Sequence, residues 1–383
     1  MILQHVVLLK SQVRSFGGLE KSASRIAKAF VERGARVSVL TSGSNSGLEE
    51  RGISVHAAKT AAWPAFLRME HFDRFVRTWL RENPADLVFG MDRNRFQTHF
   101  RAGNGVHEAY LKSRILTEGK WKYYSCLLNP MHRKILDIEK KAFENPSLKK
   151  LFTNSHMVKR QILEKFSTDP AKIQVVHNGV EWQEMEADFT AWPEKKLHTL
   201  RDFFLPADKF HLLFIGNGYL RKGLLQLLEG LARLNNPDVH LSVIGKESHL
   251  DVYQTAAYKL GLIKRVHFFG PRTDIRPFYQ YADALAIPSF YDPFANVTVE
   301  ALAMGLFVIS SKFNGGSEIL TAPSSISSGI VIEELQCPDS IASALREAIR
   351  HPKTIESAFK RRLLVERLDF SHQMKSLIEA CCE

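Results

Sequence analysis

Cysteine is scarce in this chain: 383 residues contain four, Cys126, Cys337, Cys381 and Cys382. Their spacing matches neither a metal-binding cluster nor a disulfide framework, which excludes a zinc module and a disulfide-stapled secreted scaffold. No stretch approaches the roughly 20 consecutive apolar residues that cross a bilayer, and the opening run to Leu9 is too short for a signal peptide. A cytosolic location is therefore expected. Neither the Rossmann glycine fingerprint nor the P-loop is present, which argues against a dinucleotide or ATP. An Asp-x-Asp motif at a strand end is also missing, so no metal ligands are assigned.

What is present fits an α/β protein of two domains. The chain is 45% hydrophobic and long enough for two cores. His5 to Lys10 reads as a buried strand, Leu19 to Arg33 as a helix stopped by Gly34, and Arg36 to Thr41 as the next strand. The pattern repeats with Lys209 to Ile215, Leu224 to Leu234 and Val239 to Ile244. Two such openings imply two Rossmann-like, doubly wound domains whose strand ends line a shared cleft. The expected boundaries are 1–180 for the first domain, 181–205 for a linker and 206–365 for the second. A last helix, about 366–383, packs back on the first domain in this reading, with Ser371 as its cap. Charge divides unevenly: residues 1–190 hold 30 Lys and Arg against 20 Asp and Glu, and the remainder 22 against 21. A basic first half suits an anionic partner such as a membrane or a phosphorylated glycolipid, and equally a solvated basic surface.

Two constellations carry chemistry. The segment from Tyr291 to Gly305 follows an apolar strand and begins a helix near Asn296, which places Asp292 in a loop and Glu300 in the helix. Carboxylates there accept hydrogen bonds from sugar hydroxyls, and the N–H groups of the helix start meet phosphate. The loop Gly216 to Gly223, including Gly218, lets backbone approach a ligand, and Arg221 with Lys222 adds two cations. Alone, that loop is most often an ordinary glycine turn with surface cations. Together the two describe a nucleotide-sugar pocket.

These residues resemble glycosyltransferase family 4, of GT-B fold, and within it the lipopolysaccharide core glucosyltransferase I group. The likeness rests on Phe16 to Glu20, His177 to Val180, Gly216 to Gly223 and Tyr291 to Gly305, and Arg101 to His107 is similar to a variant in the lipopolysaccharide branch. The resemblance implies transfer of a hexose, glucose from UDP-glucose, to a hydroxyl of a lipopolysaccharide-core or other lipid-linked glycan, with retention of configuration and without metal or cofactor. It places Glu300 on the ribose and Asp292 on a sugar hydroxyl. Arg221 and Lys222 fall on the leaving diphosphate, and Phe294, Ala295, Asn296 and Val297 over sugar and phosphates. Gly17 and Gly18 would face the diphosphate across the cleft. The family's usual first carboxylate is glutamate, so Asp292, one methylene shorter, puts the sugar contact in question.

His107 follows a Gly103-Asn104-Gly105 turn after a strand and is the candidate for help near the acceptor, against the reading of a histidine satisfied by a neighbouring helix. The stretch from His107 to Ala142 mixes lysines and arginines with Trp121, Tyr123, Tyr124, Leu127 and Leu128, as an interfacial contact with an anionic membrane would, or as a helical pair with inward aromatics would. A peripheral position at the inner face of the cytoplasmic membrane is expected. No nucleic-acid motif accompanies the charge. The competing functions are a nucleotide-sugar epimerase or sugar phosphorylase on this fold, and a non-catalytic basic binding module.

Overall fold

The computed structural model describes residues 3–11, 18–42, 52–58, 64–321 and 327–383, without the side chains of 18–22 and 65. They form two compact units, one of Met1–His177 with Ser371–Glu383 and one of Asn178–Phe370.

The first unit is built on β1 (His5–Leu9), β2 (Arg36–Thr41), β3 (Ile53–Ala57), β4 (Leu87–Gly90), β5 (His99–Arg101), β6 (Lys150–Thr153) and β7 (Ile173–Val175). They lie in the order β3-β2-β1-β4-β5-β6-β7, every neighbouring pair parallel. Parallel sheets are covered on both faces, so their strands are apolar throughout rather than alternating. The run His-Val-Val-Leu-Leu of β1 is buried at all five positions. Its helices are α1 (Gly18–Glu32), α2 (Ala65–Glu82), α3 (His107–Glu118), α4 (Lys120–Leu128), α5 (Pro130–Phe143) and α6 (His156–Lys165). Gly18 is the first residue of α1, whereas Phe16 and Gly17 lie outside the described residues.

The second unit begins with α7 (Glu186–Asp202), followed by β8 (Phe210–Ile215), α8 (Tyr219–Lys222), α9 (Leu224–Leu234), β9 (Val239–Ile244), α10 (Leu250–Lys259), β10 (Val266–Gly270), α11 (Arg276–Tyr281), β11 (Ala284–Ile287), α12 (Asn296–Ala303), β12 (Phe307–Ser311), β13 (Gly329–Ile332), α13 (Pro338–Arg350) and α14 (Ile355–Leu363). Its sheet runs β10-β9-β8-β11-β12-β13, again parallel. The strand order reverses between β8 and β11. In doubly wound sheets this is where ligands gather, beyond the carboxyl ends of the two strands. The loop after β8 carries Arg221 and Lys222, and the loop after β11 carries Asp292.

Two expectations change here. The stretch 181–205, expected as a linker, is largely the helix α7, and it belongs to the second unit. Phe189, Trp192 and Leu200 are buried, and Lys196 pairs with Asp283 at 2.7 Å, so packing sustains the helix despite Pro193 inside it. The final helix, α15, spans Phe370–Cys382, so Ser371 lies within its first turn and is not its cap. The Phe370 N–H is instead held by the Val180 carbonyl at 2.8 Å.

Buried arginines support the helix that carries Glu300. Arg362 Nη1 donates to the Ala303 carbonyl at 2.7 Å, and Arg361 Nη1 to the Gly305 carbonyl at 3.2 Å, both at the carboxyl end of α12. Cations at that end satisfy the unpaired carbonyls and oppose the helix dipole favourably. Trp182 and Phe189 close over the Arg362 guanidinium at 4.1 and 4.7 Å.

Candidate functional site

The loop leaving β8 is shaped by backbone that tolerates only glycine at one point. Gly223 has φ +77°, and a Cβ there would lie 2.0 Å from the Pro288 carbonyl oxygen. This close approach brings the turn α8 against the end of β11 and sets Arg221 and Lys222 beside Asp292. Gly218 enters α8 in the left-handed conformation, at φ 71°.

Lys222 Nζ lies 2.5 Å from Asp292 Oδ2, and Arg221 Nη1 lies 3.2 Å from the same oxygen and 2.8 Å from the Tyr291 carbonyl. Lys222 and Asp292 are buried, whereas the Arg221 side chain remains 36% exposed. Burial pushes the Asp292 carboxyl up, but Lys222 and Arg221 outweigh it and hold it below its ordinary value. Two cations share one carboxylate, so the cluster retains one positive charge. Asp292 is fixed by its backbone as well: its N–H donates to the Phe313 carbonyl at 2.9 Å, and its own carbonyl accepts from Gly315 N at 2.9 Å.

Backbone donors are fewer than the sequence suggests. At the start of the four-residue α8, Tyr219 N is taken by Glu247 Oε2 at 2.8 Å. Glu247 also accepts from Ser248 N at 2.8 Å and His249 N at 3.2 Å. In the second loop, Phe294 N donates to Asp292 Oδ1 at 3.3 Å and Ala295 N to Asn314 Oδ1 at 3.0 Å. The first N–H groups of α12 are those of Asn296 and Val297, at the end of a helix that favours an anion. Asn314 is fully buried; it also accepts from Gly316 N and donates to Thr298 Oγ1 and Ser310 Oγ at 3.1 and 2.8 Å. Its amide thus ties the Asp292 loop to β12 and α12.

Glu300 is half-buried on α12, and its Oε2 accepts from the Tyr279 hydroxyl at 2.8 Å. Asn296 is exposed, with its Oδ1 accepting from Asn178 Nδ2 at 2.8 Å. Arg221, Lys222 and Asp292 therefore come together in one cluster. Tyr279, Asn314 and Glu247 are the supporting residues that sequence reasoning missed. They make their contacts 21, 19 and 28 positions away, and no local spacing signals them.

His107 occupies the first unit at the start of α3. Its backbone N–H donates to both oxygens of Glu139 at 2.9 Å, and its Nε2 meets His132 Nδ1 at 3.0 Å. Arg93 Nε closes the network on Glu139 Oε1 at 2.6 Å. Burial first, then the charges of Arg93 and His132, push the His107 imidazole down to about 3. It is neutral at physiological pH and engaged with a neighbouring helix, the arrangement of an orienting residue.

Comparison with known proteins follows the same division of the chain. Residues 16–184 match the family model described as Glycosyltransferase Family 4, and residues 199–361 match Glycosyl transferases group 1. The chain belongs to glycosyltransferase family 4. An uncharacterized glycosyltransferase of Methanocaldococcus jannaschii, MJ1607, is 26% identical over 80% of this chain and 80% of its own length. The lipopolysaccharide glucosyltransferase WaaG of Escherichia coli is 24% identical over 87% of this chain and 86% of its own. A crystal structure of WaaG superposes with a TM-score of 0.79 at 22% identity, covering 98% of this chain and 99% of that one. The fold is GT-B.

The His107 network makes a testable statement about pH. Its folded value lies below the ordinary 6.5, so the unfolded chain binds a proton the folded one does not, and stability falls as pH drops from about 6.5 towards 3. In His107→Gln the acid limb of stability, followed by urea unfolding between pH 4 and 7, should be shallower, while the pH dependence of turnover between 5 and 8 keeps its shape. Loss of a turnover limb in that range would instead make His107 a proton-transfer group.

Proposed function

We propose that this glycosyltransferase moves a hexose, glucose from UDP-glucose, to a hydroxyl of a lipopolysaccharide-core or other lipid-linked glycan, with retention of configuration and without a metal. The observation that carries this reading is the Arg221, Lys222 and Asp292 cluster at the switch point of the second sheet, followed on α12 by Glu300. The bond to be broken joins the anomeric carbon to a diphosphate oxygen, and charge develops on the departing diphosphate. Lys222, buried and fixed before the reaction, and the adjacent Arg221 stabilise that charge where it forms. The more exposed Arg221 can turn from the Tyr291 carbonyl to the phosphates at small cost. Asp292 keeps both cations oriented and lies where a sugar hydroxyl can reach its carboxylate, while Glu300 accepts from the ribose. Retention is drawn as front-face attack, in which the leaving phosphate takes the acceptor proton and no protein base is needed.

The choice of glucose and of a lipopolysaccharide acceptor draws on the similarity to WaaG. A lipid-linked acceptor also suits α4, where Trp121, Tyr124 and Leu128, spaced three and four residues apart, are 88, 57 and 79% exposed. Lys120 and Lys122 flank them on the same helix. An exposed aromatic face bordered by lysines favours an anionic membrane surface, and no described helix is long and apolar enough to cross one. This reading places the protein peripherally at the cytoplasmic face of the membrane.

Arg221→Ala and Lys222→Ala should each lower kcat by about tenfold to a thousandfold, the scale for one preorganised electrostatic contact, with the fold intact by circular dichroism. Unchanged turnover in both would remove the diphosphate assignment. Trp121→Glu combined with Leu128→Glu should abolish co-sedimentation with phosphatidylglycerol vesicles and leave donor hydrolysis unchanged; undiminished vesicle binding would exclude α4 as the membrane face.

A further inference from the structure

Glu300 is the carboxylate assigned to the ribose, and a glutamate has three side-chain torsions to fix before it can read a hydroxyl. A buried neighbour restrains them here. The Tyr279 hydroxyl donates to Glu300 Oε2 at 2.8 Å from a side chain only 1% exposed. Burial first, then the charge of Glu300 and the hydrogen bond to it, raise the Tyr279 hydroxyl well above the ordinary tyrosine value. It is thus a permanent donor at neutral pH.

The helix that presents Tyr279 is anchored in turn. Lys353 Nζ donates to the carbonyls of Tyr279 and Gln280 at 2.9 and 3.3 Å and sits 4.3 Å from the centre of the Trp192 ring. Gln280 Nε2 donates to the Asp188 carbonyl at 3.2 Å. A continuous set of buried contacts therefore runs from α7 through α11 to the carboxylate on α12. Packing alone does not require the last link, because phenylalanine would fill the same space.

We propose that Tyr279 is a positioning residue for donor recognition: it holds the Glu300 carboxylate in the one orientation that reads the ribose hydroxyls of the nucleotide. The proposal rests on the reading of Glu300 as the ribose contact. A preset acceptor spares the ordering cost on binding and makes loss of the ribose hydroxyls expensive. Removing the tyrosine hydroxyl leaves the carboxylate in place but takes away this donor. The consequence falls on donor binding, as a higher donor KM, with kcat little changed.

The test uses the full chain and calorimetric affinities for the ribose and 2′,3′-dideoxyribose forms of UDP, GDP and ADP, comparing wild type with Tyr279→Phe, Glu300→Gln and Tyr281→Phe. Tyr281 is the internal control: it lies on the same helix, is equally buried, and gives its hydroxyl to Ser242 Oγ at 2.7 Å instead. For the nucleotide that binds, wild type should prefer the ribose form, Glu300→Gln should erase that preference, Tyr279→Phe should reduce it by about threefold to tenfold, and Tyr281→Phe should keep it. If Glu300→Gln erases the preference and Tyr279→Phe retains it in full, the positioning role is overturned while the ribose reading stands. If Glu300→Gln leaves the preference intact, the ribose reading falls and the proposal with it. An equal loss in Tyr281→Phe and Tyr279→Phe would assign the effect to general loosening of α11 and overturn the proposal as well.

Discussion

The buried carboxylate of Asp292, shared between Lys222 and Arg221, is the interaction on which the candidate site depends. A charge taken out of water is tolerated only when paired, and removing one partner leaves the other uncompensated. Lys222 could not stay desolvated at the end of β8 without the carboxylate, nor the carboxylate without its cations. The arrangement also answers an electrostatic problem of the proposed reaction. Two unopposed cations would hold a diphosphate product tightly, whereas a cluster with one net positive charge attracts the donor and lets its product leave. Asp292 is one methylene shorter than the glutamate usual in the family, and it meets both cations because the Gly223 turn presses α8 against Pro288.

Rigidity around this cluster comes from the two ends of α12. At its start, Asn314 uses both the acceptor and the donor capacity of its amide to join the Asp292 loop, Gly316, Thr298 and Ser310. At its finish, Arg361 and Arg362 donate to the buried carbonyls of Gly305 and Ala303. The helix that carries Glu300 is thereby fixed along its length, and its amino end keeps only a few N–H groups for an anion. A site built this way spends little ordering entropy when the donor binds.

The sequence made the strands and the charged residues legible and left their supports hidden. Strands β2 and β9 and helix α9 fall where apolar runs and periodicity place them, because parallel strands are buried on both faces and α9 buries one leucine-rich stripe. The helix α7 escaped notice since Pro193 and a dense set of charges mask its buried face, which only the fold supplies through α11 and Asp283. Arg221, Lys222 and Asp292 stood out because charged residues beside glycine turns are chemically conspicuous. Their mutual pairing was not readable, as it depends on two loops 70 residues apart. Tyr279, Asn314 and Glu247 are ordinary residues in sequence and acquire meaning only from partners brought near by the sheet. The N–H groups of Phe294 and Ala295 also carry contacts hidden from the sequence, since Asp292 and Asn314 accept from them.

The central claim is that fixed protein charges, with no metal, bind a nucleotide diphosphate sugar in the second unit. It is tested most directly by thermal stabilisation and slow donor hydrolysis across UDP-glucose, UDP-galactose, UDP-GlcNAc, GDP-mannose and ADP-heptose in the presence of a chelator. The account predicts that one donor, UDP-glucose, raises the melting temperature selectively and releases its nucleoside diphosphate. Stabilisation by none of the five, or only after a divalent metal is restored, would contradict it.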